Sequence, residues 1–396
     1  MAVEFTYFLW RRDKALSPGQ SEWRKPLPLT RHDIQQKQRP AESQGLSYGD
    51  YFESLRAFIR NNQYQGLIHG LCQQSGQEIS PAQIRAVALS AEKHGAFYHP
   101  ARVTVTLDTE AAFSFVVNVA ITDETGQALA QEYQHLNNLT TGDDMEYLPR
   151  CYYFDVMETT GQANRYMLLG QWFDGYHEFH LTQASPAAPP TLCVWNDIDG
   201  PMVLDMHQTR QLYHNAAVIL TTFYNPVTFE QIYPWHHAAG DFIVRVDRPG
   251  VDLKLITVRN YAPLLGHPGF EDERRATEAV FLDSLLIFLL NLSTRMRLDR
   301  LDGVGPVLWA PDETVAASVS GFFEGLSMVV RRHGLPEEVN HLVKGHLSGL
   351  GPGDCETLLT EIFSVLYHPR SPELQVLTAH LVDHARIFCQ TVADTI

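Results

Sequence analysis

The apolar residues of this chain change period part-way along, and that change constrains the fold more than any single motif does. Residues 102–107 alternate and are rich in Val and Thr, and residues 112–121 form a longer apolar run containing Val116, Val117 and Val119. Both read as strands, joined by the tight polar turn Asp108-Thr109-Glu110. After a helix expected over 127–139, two more strands are expected at 150–155 and 165–170. From Met206 onward the apolar spacing becomes helical. Helices are expected over 206–224, 273–292, 312–333, 336–347 and 372–393, with short strands at 242–246 and 253–258. A strand-rich first part followed by a helix-rich second part predicts an α+β chain with two lobes.

Residues 1–50 open with a candidate strand at 3–9 and then turn polar, with Pro18, Pro26, Pro28 and Pro40 among Gln, Arg and Lys. This is the pattern of an extended arm laid on a surface. A helix is expected over 51–61, where Phe52, Leu55, Phe58 and Ile59 share a face. Another is expected over 80–92, with Ser80 as N-cap and Pro81 at the first helical position. The stretch 182–191, rich in Pro and Ala, reads as a linker. The expected domains are an N-terminal extension at 1–50, an N-lobe of helices and antiparallel sheet at 51–181, and a helical C-lobe at 192–396.

Composition narrows the function classes. With 44% hydrophobic and 19% charged residues in 396, the chain has the make-up of a globular protein with a sizeable core. A net charge of −16 argues against a sequence-independent grip on nucleic acid, which needs a basic face. Cys72, Cys151, Cys193, Cys355 and Cys389 are scattered and form no CxxC pair, so a disulfide framework or structural zinc site is not expected. The apolar start at 1–10 is too short for a signal peptide, and the run 279–292 contains Asp283 and falls short of a membrane span. A cytoplasmic protein without a membrane partner is the expectation.

Several segments then recur in an order known from one superfamily. Phe115-Val116-Val117-Asn118-Val119-Ala120-Ile121 is followed by Gln131-Glu132-Tyr133-Gln134-His135-Leu136, by Leu148-Pro149-Arg150, and by Tyr166-Met167-Leu168-Leu169-Gly170-Gln171-Trp172-Phe173-Asp174-Gly175. Next come Trp235-His236-His237-Ala238-Ala239-Gly240-Asp241-Phe242-Ile243-Val244 and Leu253-Lys254-Leu255-Ile256-Thr257-Val258. The order resembles the protein-kinase-like superfamily, and within it the aminoglycoside and other small-molecule phosphotransferases, over residues 95–390. The resemblance implies a two-lobed fold, an antiparallel-sheet N-lobe on a mainly helical C-lobe, and ATP with Mg²⁺ as cofactors of an active member.

Residue by residue, the same resemblance implies a damaged site. Asn118 stands near the phosphate-binding lysine of the third strand, Glu132 at its helix partner, and Trp172 at the hinge beside the nucleotide cleft. A gapless register puts Asp241 at the metal-binding asparagine and His236 at the catalytic aspartate. A gapped register instead makes Asp241 the base and leaves no room for the metal ligand. Thr257 takes the place of the metal-binding aspartate on the following strand. With Asn, His and Thr for Lys, Asp and Asp, the main cation and a principal metal carboxylate are gone, at a cost of about a hundredfold in rate each. No glycine-rich phosphate loop is visible around His99-Pro100 or Asp108-Thr109-Glu110.

Other chemistries compete for these residues. His236, His237 and Asp241, with His207 or His214, are candidate metal ligands, although no HExxH-type spacing supports them. Glu132 also reads as an exposed helix carboxylate. Asp197 and Asp199 read as a carboxylate pair or an acidic turn, Cys151 and Cys193 as nucleophiles or core thiols, and Tyr152-Tyr153-Phe154 as a stacking platform or strand core. Three functions stay open: a catalytically degenerate kinase-like protein that binds a small ligand or protein partner, a phosphotransferase using Asp241 with Asp252 or His237, and an unrelated α+β interaction module.

Overall fold

The alternating stretches form one mixed sheet of six strands. In the computed structural model, which describes residues 3–10, 14–30, 46–93, 95, 97–140, 146–157, 164–196, 200–236, 240–247, 250–264 and 278–395, the chain is α+β. It divides into two compact units, Met1–Asp174 and Gly175–Ile396. The boundary falls inside the run Trp172-Phe173-Asp174-Gly175. The proline-rich 182–191 stretch, read as the linker, instead joins two strands of one hairpin in the second unit.

In the first unit, β1 (Glu4–Phe8), β2 (Ile84–Ala91), β3 (His99–Leu107), β4 (Ala112–Ala120), β5 (Cys151–Met157) and β6 (Arg165–Gln171) lie in the order β1-β2-β3-β4-β6-β5. β2 to β6 are antiparallel, whereas β1 joins the edge in parallel with β2, so the sheet is not purely antiparallel. The N-terminal arm is likewise not a surface arm throughout. Tyr7, Leu16 and Leu27 belong to the core, and the Tyr7 ring meets those of Trp23 and Phe52 at 5.2 and 5.3 Å.

The helix expected over 80–92 is a strand. The Gln83 side chain does reach back to accept from the Ser80 N–H at 2.9 Å, but around a single 3-10 turn at Pro81–Gln83. Ile84, Val87 and Ala91 sit at helical spacing, and Ile84 is out of phase with the strand's alternation because a register shift separates it from Ala86. Leu89 fits only the alternation Val87, Leu89, Ala91, and all three are buried against the sheet's core face.

Two helices cover the sheet, one on each face. α1 (Tyr48–Ser75) starts at a capping box between Ser47 and Asp50 and buries Phe52, Leu55, Phe58, Ile59, Leu67 and Leu71 with Phe115, Val117 and Val119 of β4. It breaks at Asn62, Gln63 and Tyr64, which all take positive φ (45°, 56° and 67°). That conformation is strained for residues with a Cβ, and Asn61 anchors the break by donating from Nδ2 to Asp155 Oδ2 at 2.6 Å. α2 (Asp123–Leu139), inserted between β4 and β5, packs Leu129 on the opposite face with Ala120 and Leu168.

In the second unit, β7 (Phe179–Thr182), β8 (Thr191–Asn196) and β9 (Gly200–Val203) form a three-stranded sheet before α3 (Met206–Thr222). Four short strands follow: β10 (Glu230–Ile232), β11 (Phe242–Asp247), β12 (Gly250–Leu255) and β13 (Tyr261–Pro263). After α4 (Glu278–Arg295), the hairpin of β14 (Leu298–Arg300) and β15 (Val307–Trp309) leads to α5 (Glu313–His333), α6 (Val339–Ser348), α7 (Pro352–Leu366) and α8 (Pro372–Thr395). The part of the expected 273–292 helix before residue 278 lies outside the described residues. α3 and α5 approach closely because Gly321 and Gly325 face α3: a Cβ at 321 would lie 2.3 Å from the His214 carbonyl oxygen. The β11–β12 hairpin docks on α3 through Gln211 and Asn215, whose side-chain amides bond both backbone polar groups of Val251 at 3.1 Å. No helix among the described residues is long and apolar enough to cross a membrane.

Candidate functional site

Two short ladders frame a buried polar cluster of the second unit. β10 pairs with β13, and β11 with β12, so the same two stretches of chain are joined twice. Between the ladders, residues 233–236 and 240–241 face the segment 256–260. Ile256 N–H donates to the Asp241 carbonyl at 2.7 Å, and Tyr233 N–H to the Asn260 carbonyl at 3.2 Å. Asp241 stands at the entrance to β11 with no exposed surface. Gly240 before it takes φ +79°, and a Cβ there would meet Glu178 Oε1 at 3.0 Å, so glycine suits this approach.

The Asp241 carboxylate is fully engaged. Oδ1 accepts from the Thr257 hydroxyl at 2.9 Å and from Arg259 Nη2 at 2.5 Å. Oδ2 accepts from the His236 backbone N–H at 2.8 Å and from Arg259 Nη1 at 2.7 Å. A carboxylate offers about four lone-pair sites, and four donors take them. The Arg259 contact is bidentate, the strongest geometry for this pair, and it compensates the charge that burial would otherwise penalise. No motif in the sequence gives Arg259 a role. Its only signal there is a cation two residues after the Thr257 position.

A second cation holds the 233–236 segment. Arg295 closes α4, is buried, and donates from Nε to the Trp235 carbonyl at 2.6 Å and from Nη1 to the Tyr367 hydroxyl at 3.1 Å. Its guanidinium carbon lies 5.1 Å from the Tyr233 ring centroid and 5.5 Å from that of Trp235, within cation–π range. Nη2 stands 3.2 Å from His236 Nε2. The same Nη2 stands 3.5 Å from His236 Nδ1, so the guanidinium lies against the imidazole as a whole. The His236 side chain is otherwise exposed.

The remaining candidates separate. Glu132 is not an exposed helix carboxylate: it is 1% exposed, on the sheet-facing side of α2 one turn from Leu129. Asn118 pairs with Leu168 across β4–β6, on the α2 side of the sheet, so Asn118 and Glu132 share a face. Trp172 is partly buried, donates from Nε1 to Asp174 Oδ1 at 3.0 Å and lies under the Arg102 guanidinium, 5.1 Å from its ring centroid. Arg102 also binds Asp174 at 2.8 Å. His237, Asp197 and Asp199 lie outside the described residues.

The competing chemistries find little support in geometry. His214 pairs with Glu324 at 3.0 Å and His207 is exposed at the start of α3. Among the described residues no three His, Cys, Asp or Glu side chains converge to hold a metal ion. Asp252 binds Lys254 at 3.0 Å and accepts from the Tyr176 hydroxyl. Burial alone would raise its pKa, but these donors outweigh burial and keep it below the usual carboxylate range, which suits an ion pair rather than a base. Burial pushes the thiols of Cys151, beside Glu132, and Cys193, near Asp302, above their usual range, opposite to what a nucleophile needs. Tyr152 packs in the core against Phe115, and Phe154 stacks on Tyr133 of α2; both are strand core.

No protein-family model matches the chain, and no curated protein matches it. A solved structure, that of the Drosophila melanogaster PAN3 pseudokinase, is similar over 75% of this chain at 10% identity, with a TM-score of 0.21. The match spans 64% of that chain's length. A likeness at that level carries no argument about function.

Proposed function

We propose that this chain is a protein-kinase-like protein with a degenerate catalytic centre, which acts by binding a small ligand or a partner rather than by transferring a phosphoryl group. The observation that carries the reading is the Asp241 carboxylate. Metal-assisted phosphoryl transfer needs carboxylate oxygens open to a divalent cation, and a base needs a lone pair facing the acceptor hydroxyl. At Asp241 the lone pairs face Thr257, Arg259 and the His236 N–H. Arg259 supplies a tethered cation to the carboxylate that the resemblance would leave open to a metal, and the Thr257 hydroxyl donates where the resemblance would place a second carboxylate.

The architecture of the first unit supports the same reading. Five antiparallel strands in the order β2-β3-β4-β6-β5, with a helix inserted between β4 and β5, match what the resemblance requires. Asn118 and Glu132 share a sheet face, as the lysine and glutamate of an active member would. With β2 as the first of the five strands, the place of the phosphate loop moves to residues 92–98, where Gly95 is the single glycine.

A thermal-shift titration with ATP and ADP, with and without Mg²⁺ or Mn²⁺, tests the proposal. A ligand of the folded form stabilises it by about 2.7 kcal/mol at a hundred times its dissociation constant. Any nucleotide shift is expected to be the same with and without metal, and absence of any shift would direct the binding role to a protein partner. A shift that requires metal and disappears in Asp241→Asn would overturn the proposal and restore the phosphotransferase.

A further inference from the structure

We propose that Cys355 and Cys389 form a reversible dithiol–disulfide pair whose oxidant is hydrogen peroxide. The two sulfurs lie 3.3 Å apart, within hydrogen-bond range for thiols, although they are 34 residues apart in sequence. Cys355 sits in the first turns of α7 and Cys389 near the end of α8, and the two helices pack along each other after the short turn at 367–371. The backbone is held on both sides of the pair by buried residues, Leu359 and Phe363 on α7 and Ala385 and Phe388 on α8. Cys355 has no exposed surface, whereas Cys389 is partly exposed and gives a small oxidant its way in. Both are thiols rather than a bond in this structure.

The chemistry balances in two steps. The Cys389 thiolate attacks one oxygen of hydrogen peroxide, breaking the O–O bond to give a sulfenic acid and, after protonation, one water. The Cys355 sulfur then attacks the sulfenic sulfur and expels the second water, so two thiols and one peroxide give one disulfide and two waters. Burial raises the pKa of both thiols, most strongly at Cys355. The reaction is therefore expected to be slow at neutral pH and faster as pH rises.

The test exposes the full chain to hydrogen peroxide, alkylates the remaining thiols in denaturant and digests without reductant. Mass spectrometry is expected to find the peptides carrying 355 and 389 joined with loss of two hydrogen atoms, and released again by dithiothreitol. Cys72, Cys151 and Cys193 are expected to be recovered alkylated. In Cys355→Ser, the Cys389 sulfenic acid is expected to persist and be trapped by dimedone. Recovery of both residues alkylated, or of Cys389 as sulfinic acid beside an alkylated Cys355, would overturn the proposal. The wild-type digest decides the matter even if the variant does not fold.

Discussion

Arg259 and Asp241 show how a buried charge is retained when its partner comes from the same short stretch of chain. Removing the guanidinium leaves a carboxylate with no exposed surface and only the Thr257 hydroxyl and His236 N–H as donors. Arg259→Met is expected to cost about 3–5 kcal/mol in urea unfolding, as for other broken buried pairs. The double variant Asp241→Asn with Arg259→Met is expected to be more stable than Arg259→Met alone, since the uncompensated charge is gone. If the double variant is the weaker of the two, the charge pair is not what organises the site. Neither arginine role was legible from spacing, because Arg259 acquires meaning only when the fold sets it against Asp241, and Arg295 only when α4 ends at the Trp235 carbonyl. The Asp241 position, in contrast, was legible from the strand that follows it.

His384 offers a second test at this scale. It is buried on α8, lies 3.1 Å from the Ser293 hydroxyl, and burial lowers its pKa to about 3. The unfolded chain regains the ordinary value of about 6.5. Between those values the unfolded state binds the extra proton, so stability is fully present above about pH 6.5 and falls as pH drops towards 3. Urea midpoints measured at pH 7 and pH 4.5 are expected to differ less in His384→Gln than in the wild type. An unchanged difference would mean that His384 is not the group that titrates.

At the scale of elements, glycines in two helices have opposite expected effects on substitution. Gly345 in α6 has open space around the position of a Cβ, so Gly345→Ala is expected to stabilise by about 0.5–1 kcal/mol through helix propensity. Gly321 in α5 faces the His214 carbonyl oxygen at 2.3 Å, and backbone cannot step aside as a side chain can. Gly321→Ala is therefore expected to destabilise by about 1–3 kcal/mol, overpacking outweighing propensity. Thermal unfolding of both variants checks the sign of each. Most elements were legible because their period was unambiguous: Val103 and Val105 of β3, and Leu129 and Leu136 of α2, are buried where their spacing puts them. Ile84, Val87 and Ala91 sit at helical spacing, because a register shift puts Ile84 out of phase with the alternation, and the capping signal of Ser80 points to a helix although it ends after one 3-10 turn. The parallel pairing of β1 lay beyond sequence periodicity, which carries no information about strand direction.

At the scale of the molecule, the order of strands and helices was more legible than any reaction, because apolar period marks an element within a few residues whereas a reaction needs side chains that only the fold brings together. Asn118 and Glu132 share a sheet face without a lysine between them, and Thr257 meets Asp241 without a second carboxylate. The pair that closes this centre is an ion pair made by the chain itself, so the protein is expected to hold no divalent cation there. Titration of the full chain with Mn²⁺ in the presence of ADP, followed by electron paramagnetic resonance of the free ion, checks this. The expected result is a free-ion signal unchanged from that of ADP and Mn²⁺ without protein. Stoichiometric loss of that signal, abolished by Asp241→Asn, would contradict it and favour the phosphotransferase reading.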